Sequence, residues 1–152
     1  MAIKAVYTHT NLICHNWRRL ANFYTQALGC VLIPPERDLR GDAVEKGTGV
    51  REAHITGAHI RLPGYGETGP TLELFSYDSH TDEGEKKINR PGWCHIAFRV
   101  ENVAEAVREV TSLGATLLGE IVTTPVGADK SVTWCYMTDP EDNIFELQSS
   151  VQ

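Results

Sequence analysis

No apolar run in this chain approaches the ~20 residues that cross a bilayer, so no transmembrane helix is expected. No Cys-x-x-Cys pair occurs among Cys14, Cys30, Cys94 and Cys135. A zinc knuckle or a local disulfide framework therefore has no spacing to support it. Three of these cysteines sit inside hydrophobic runs and read as reduced, buried residues that pack as small apolar groups. Positive charge is also scarce, with 14 Lys and Arg against 20 Asp and Glu. That balance argues against a nucleic-acid partner or an anionic membrane surface. Signal-peptide anatomy is missing as well: Met1-Ala2-Ile3-Lys4-Ala5-Val6 runs straight into strand-like sequence, so a cytoplasmic location is the expectation.

What remains is a soluble globular composition, 41% hydrophobic and 22% charged. The 152 residues suit one compact domain or two small fused modules. A chain of this size buries enough surface to fold without disulfides or metal.

The apolar pattern predicts a strand over Ala5 to Cys14. A helix follows, capped by Asn16, with Leu20, Phe23, Tyr24, Ala27 and Leu28 on one buried face and Gly29 ending it. Cys30 to Ile33 reads as a short strand closed by Pro34-Pro35, and Glu36 to Gly49 as a polar loop. Arg51 to Leu62 is a long strand with Gly57 as a candidate bulge. Residues 63–70 carry turn chemistry, Thr71 to Tyr77 is a strand, and Asp78 to Pro91 is a charged, mobile surface loop. The pattern then restarts. Trp93 to Val100 is a strand, and Asn102 with Glu105 opens a helix in the manner of a capping box. Val103, Ala106, Val107, Val110 and Leu113 form its buried face, with Gly114 as its cap. Ala115 to Val122, Val132 to Thr138 and Ile144 to Ser149 are strands, separated by a loop through Pro125 and Gly127 and a turn over Asp139 to Asn143.

The two halves therefore repeat. His9 lies 20 residues before Gly29, and His95 lies 19 before Gly114. Each half is a β-α-β-β-β module, about 1–78 and about 92–152, whose last strand carries Glu-Leu (Glu73-Leu74 and Glu146-Leu147). Neither module can bury both its helix face and its sheet alone, so the two are expected to pair as a single α+β domain over 1–152.

Four polar residues interrupt apolar strands at matching positions: His9, Glu73, His95 and Glu146. Strand alternation sends Leu12 and Cys14 toward the helix and His9, Asn11 and Ile13 away from it. In the second module Cys94, Ile96 and Phe98 face the helix, while His95, Ala97 and Arg99 face away. Glu73 shares a face with Phe75 and Tyr77, and Glu146 with Gln148. One such histidine is more often a hydrogen-bonded core residue than a ligand. Two imidazoles and two carboxylates in one cavity are costly unless paired. A divalent cation uses all four, and two nitrogens with two oxygens suit Zn, Ni, Co, Mn or Fe. His15, His54, His59 and His80 are read as structural or solvent-exposed. His54 and His59 differ in parity, so both cannot face one cavity without a bulge.

Thr8-His9-Thr10-Asn11-Leu12, Phe23-Tyr24-Thr25-Gln26-Ala27-Leu28-Gly29, Thr71-Leu72-Glu73-Leu74, Cys94 to Val100, and Asp139-Pro140 through Glu146-Leu147 resemble the vicinal oxygen chelate superfamily. Glyoxalase I and methylmalonyl-CoA epimerase are the members most similar in ligand pattern. The resemblance implies paired modules forming a curved mixed sheet around a metal, often completed by a homodimer. It implies His9, Glu73, His95 and Glu146 as the four ligands. It also implies a metal-dependent isomerase or lyase that acts on a small-molecule substrate through an enediolate or enolate. In such chemistry a Lewis acid acidifies the C–H next to a carbonyl and a carboxylate moves the proton. Glu146 is the expected base, with Glu73 as its partner. Two positions depart from glyoxalase I: Ile13 stands where an arginine meets glutathione, and Tyr77 where an asparagine stands. A non-glutathione carbonyl compound or a thioester is therefore an equal candidate substrate. Arg99, Tyr77 and Asn11 are the candidate substrate-binding residues, Arg99 as a partner for a carboxylate or phosphate. Trp93, Trp134, Tyr77 and Tyr136 are candidates for an aromatic pocket.

Two other activities fit parts of the pattern. An extradiol-type Fe(II) dioxygenase uses two histidines and one glutamate, which His9, His95 and Glu146 match. Tyr136 with Asp139-Pro140 partly fits its C-terminal signature, although residues 125–130 contain no histidine and Asp142 replaces an expected glycine or proline. A non-catalytic binding or resistance protein needs a cavity but no ligand set. Fosfomycin-type thiol or water addition is a further chemistry of the same superfamily.

Overall fold

The computed structural model describes residues 3–81, 84–126 and 128–151, with residue 151 described through its backbone alone. It divides into two compact units, Met1–Asp82 and Glu83–Gln152. The predicted Gly127 loop position lies outside the described residues.

In the first unit, β1 (His9–Ile13), α1 (Trp17–Leu28), β2 (Val31–Arg40), α2 (Asp42–Thr48), β3 (His54–Arg61) and β4 (Thr71–Tyr77) follow in order. The sheet order is β1-β4-β3-β2, with β1 parallel to β4 and the other pairs antiparallel. A parallel pair needs a long crossover, and α1 opens the one that leads from β1 to β4. Asn16 Oδ1 accepts the Arg19 N–H at 3.0 Å, and Ser76 Oγ on β4 accepts the Trp17 N–H at 3.0 Å. These two acceptors satisfy N–H groups that a helix start otherwise leaves unpaired. Gly29 closes the helix in the left-handed region (φ 67°), a conformation that costs glycine little. Trp17, Leu20, Ala21, Phe23 and Tyr24 of α1 are buried, as are Ala58, Ile60, Leu72 and Leu74 on the sheet. Each large apolar side chain so buried contributes roughly 1.5–3 kcal/mol.

The second unit repeats this plan. It contains β5 (His95–Arg99), α3 (Val103–Ser112), β6 (Thr116–Pro125), β7 (Ser131–Thr138) and β8 (Ile144–Val151), with sheet order β5-β8-β7-β6 and β5 parallel to β8. Asn102 Oδ1 accepts the Glu105 N–H at 3.1 Å. The turn between β7 and β8 is built on Asp139, which is only 2% exposed. Its carboxylate accepts the backbone N–H groups of Glu141 (2.8 Å) and Asn143 (3.0 Å) and the Asn143 side-chain amide. The two βαβββ modules thus form two four-stranded mixed sheets with helices, an α+β architecture. No helix among the described residues is long and apolar enough to cross a membrane.

Several local expectations are corrected. The chain does not break at Pro34-Pro35 and enter a loop; β2 continues to Arg40, and α2 follows. β2 lies at the sheet edge, where a proline's missing N–H costs no ladder bond, and the register shifts between Ile33 and Arg37. The irregularity therefore sits on β2, not at Gly57, which keeps continuous register with Phe75. Gly57 is required for another reason: an added Cβ would overlap the Leu74 carbonyl oxygen and Phe75 Cδ1. β1 is shorter than Ala5 to Cys14, and β6 runs on to Pro125. Leu113 lies past the last turn of α3 and is exposed. Within the expected mobile loop, Lys86 Nζ donates to Asn143 Oδ1 (2.6 Å) and to the Glu141 carbonyl (3.0 Å), anchoring it to the β7–β8 turn.

His54 opens β3 and is bonded on both ring nitrogens, Nδ1 to Asp78 (2.7 Å) and Nε2 to Asp38 (3.0 Å), with Arg40 also on Asp38. Its hydrogen bond to Asp78, then that to Asp38, raises its pKa above the ordinary 6.5. Arg40 first, then His54, lowers that of Asp38 below 3.8. The imidazolium's contribution is complete below the unfolded histidine value and is lost as pH rises through the folded one. The Asp38 contribution is present above its unfolded value and is lost as pH falls through the folded one.

Two outcomes are expected. Gly57→Ala lowers the unfolding free energy by about 1–3 kcal/mol through overpacking. Gly47→Ala, which meets no atom within 4 Å inside α2, is neutral or stabilising by up to ~1 kcal/mol. Urea unfolding of both variants measures the difference, and an unchanged midpoint for Gly57→Ala contradicts the packing. Thermal melts against pH show the wild type's advantage over His54→Asn greatest between about pH 4 and 6.5 and fading at higher pH. An advantage that grows above pH 8 contradicts the network.

Candidate functional site

In each unit the helix covers one sheet face, and the strand register shows which side chains lie on the other. In the first unit Asn11, Glu73 and His59 are direct neighbours across β1, β4 and β3, and His9 is opposite Thr71. Ile13 and Gly57 flank Phe75, and Tyr77 is opposite Ile55. In the second unit Ala97, Glu146 and Tyr136 are neighbours across β5, β8 and β7. Arg99, Gln148 and Trp134 form the next row. His9 and His95 are thus two positions before the strand neighbour of each glutamate.

That offset places each histidine beside its carboxylate. His9 Nε2 is 3.6 Å from Glu73 Oε2, and His95 Nε2 is 3.1 Å from Glu146 Oε2. Both glutamates are largely covered, with side chains 15% and 16% exposed. A carboxylate placed there stays charged at acceptable cost only with partners. Glu73 has two more: Asn11 Nδ2 donates to Oε2 at 2.9 Å, and His59 Nε2 lies 3.0 Å from Oε1. The Asn11 amide, a candidate for substrate, is thereby committed to Glu73.

The environment of Glu146 is aromatic instead. The Tyr136 ring lies 5.0 Å from that of His95 and 5.3 Å from that of Trp134. Burial, followed by the negative charge of Glu146, pushes the Tyr136 phenol above its ordinary value, so it remains a protonated donor at neutral pH. Trp134 Nε1 donates to Thr124 Oγ1 at 3.0 Å. Trp93 is fully exposed and, among the described residues, has no ring partner, unlike Trp134 and Tyr136. Arg99 is exposed and has no hydrogen bond or ion pair among the described residues.

Among the described residues no group of three or more His, Cys, Asp or Glu side chains stands ready-made as a metal centre. In each unit one imidazole–carboxylate pair, His9–Glu73 and His95–Glu146, instead recurs at this offset. Neutral imidazole nitrogen and carboxylate oxygen are donors that suit a divalent first-row cation. The residue that sequence reasoning set aside is His59, expected to be structural or solvent-exposed and found against Glu73. Its signal was present: it alternates with Ala58 and Ile60, which are buried on the helix side. Parity therefore puts His59 on the face of Glu73, but only the β3–β4 register makes them neighbours. His54, of opposite parity, is used elsewhere.

A family model described as a glyoxalase-like domain matches residues 9–148. No curated protein matches the sequence. Among solved structures, a glyoxalase family protein from Bacillus cereus is 20% identical with a TM-score of 0.83, covering 100% of this chain and 99% of that one. A glyoxalase/bleomycin resistance protein/dioxygenase family enzyme from Burkholderia phytofirmans PsJN is 17% identical with a TM-score of 0.58, over 93% and 96% of the two chains. A genomically encoded fosfomycin resistance protein from Listeria monocytogenes, complexed with Mn(II) and a sulfate ion, is 16% identical with a TM-score of 0.54, over 97% and 93%. At these identities the likeness is one of fold.

Proposed function

The chain belongs to the glyoxalase-like domain family of the vicinal oxygen chelate superfamily, and on that premise we propose that it is a metal-dependent isomerase or lyase that moves a proton next to a carbonyl. The observation that carries this reading is the recurrence of one imidazole–carboxylate pair, at the same strand offset, on the helix-free face of both sheets. In this reading modules 1–78 and 92–152 act as one domain, and His9, Glu73, His95 and Glu146 hold a divalent cation of the Zn, Ni, Co, Mn or Fe type. When bound, that cation supplies Lewis acidity toward the substrate's carbonyl oxygen.

This chain's own residues do the rest. Glu146 takes the proton from the carbon next to the carbonyl and returns it to the product, as a carboxylate within reach of the reacting carbon can. Glu73, held by Asn11 and His59, stays in place during the transfer. Tyr136 and Trp134 supply apolar ring surface beside Glu146 that limits its hydration. Arg99, unpaired among the described residues and one row from Glu146, binds a substrate carboxylate or phosphate. A small carbonyl compound or thioester bearing an anionic group is the matching substrate class. The same reading takes the enzyme to be a cytoplasmic homodimer without nucleic-acid or membrane partners.

Metal analysis of the purified protein is expected to find a divalent cation, depleted in Glu73→Ala and Glu146→Ala. Solvent deuterium is expected to wash into the substrate carbon. A metal-free wild type whose melting temperature ignores added Ni, Zn, Co, Mn and Fe refutes the enzyme reading. Oxygen uptake without deuterium exchange favours the Fe(II) dioxygenase. Arg99→Met is expected to raise KM for an anionic substrate by about ten- to a hundred-fold, the worth of a charged hydrogen bond, with metal content unchanged. Equal KM values for the two proteins remove Arg99 from the substrate site.

A further inference from the structure

The two glutamates occupy the same place in the two sheets, yet their surroundings differ in a way the repeat does not require. Asn11 and His59 flank Glu73; Ala97 and Tyr136 flank Glu146. Both oxygens of Glu73 are engaged from opposite sides, Oε2 by Asn11 Nδ2 at 2.9 Å and Oε1 by His59 Nε2 at 3.0 Å. His59 is itself held from behind, with Nδ1 2.8 Å from Thr71 Oγ1. An ionised carboxylate only accepts, so Nε2 of His59 carries the hydrogen. In the neutral ring Nδ1 then accepts the Thr71 hydroxyl proton. A ring nitrogen that carries a proton toward Glu73 has no lone pair for a metal. His59 is therefore not a fifth ligand. Among the described residues Glu146 has no such clamp; its one close ring nitrogen is His95 Nε2 at 3.1 Å.

We infer that His59, backed by Thr71 and opposed by Asn11, is a positioning residue that fixes the Glu73 carboxylate as a stationary ligand. The inference rests on the metal-dependent reading above. The physical reason is that outer partners orient a carboxylate ligand and set its rotamer before the metal arrives, which removes an ordering cost from binding.

The test uses the full-length protein, with Mn(II) affinity measured by competition with a chelator and nitrogen-15 NMR of the histidine rings in the metal-free state. His59→Phe keeps a ring but removes both hydrogen bonds. It is expected to weaken Mn(II) binding ten- to a hundred-fold, with the melting temperature within a few degrees of wild type. His59→Gln, which returns an N–H near the Nε2 position, is expected to restore most of that affinity. Thr71→Val is expected to cost a few-fold, and it carries the test if His59→Phe does not fold. The NMR spectrum is expected to show the Nε2–H tautomer at His59 without any metal. Mn(II) binding as tight in both His59→Phe and Thr71→Val as in wild type, or an Nδ1–H tautomer, overturns the positioning role and leaves the metal-dependent reading standing. A wild-type protein that binds neither Mn(II) nor the other divalent cations overturns that reading and this inference with it.

Discussion

The parallel pairing of the first and last strand of each unit is the constraint on which the rest depends. Parallel strands cannot be joined by a tight turn, so each pair encloses a helix and two antiparallel strands within its connection. The helix must bury its apolar stripe, and it does so against one sheet face, leaving the other face free for polar groups. The parallel register then decides which polar groups meet. With Asn11 opposite Glu73 and Ala97 opposite Glu146, a histidine two residues earlier lies on the same face and within reach of the carboxylate. A slip of one residue would turn the glutamate into the helix–sheet core, where an unpaired carboxylate is not tolerated.

The same scaffold carries unequal chemistry in its two halves. Around Glu73 the neighbours are hydrogen-bonding groups that fix a carboxylate: an amide, an imidazole and, behind it, a hydroxyl. Around Glu146 they are aromatic rings, and one row away stands an arginine with no partner among the described residues. At the corresponding row of the first unit stand Ile13 and Phe75, with Gly57 beneath the ring. Duplication thus supplies the frame, and substitution at a handful of register positions assigns the roles. The His54–Asp38–Asp78 network uses the same residue types for a different end. There both imidazole nitrogens are taken by carboxylates, so the ring ties β2, β3 and the end of β4 together and keeps no lone pair for ligation.

Much of this is legible in the amino-acid sequence. Helix periodicity with Asn caps and closing glycines located α1 and α3, because a buried stripe and a capped N-terminus are local properties. Strand alternation put His9, Asn11, His95 and Arg99 on the helix-free face, because side chains reverse at every residue whatever the partner strand. Where partners mattered, local reading failed. Pro34 and Pro35 looked like the end of a strand, yet β2 passes through them because it is an edge strand that owes no hydrogen bond on one side. Gly57 looked like a bulge, yet it is the floor under the Phe75 ring.

By itself, the sequence determined the repeated βαβββ plan, the four polar residues that interrupt it and the face each one occupies. These follow from periods of 3.6 and 2 and from the positions where apolar runs are broken. Only the tertiary structure decided which of them touch. The contact of His59 with Glu73 joins residues on different strands, and the clamp on one glutamate but not the other depends on register across three strands. Register is set by long-range hydrogen bonding and by the packing of the helix on the opposite face, and neither is written in the local spacing of residues.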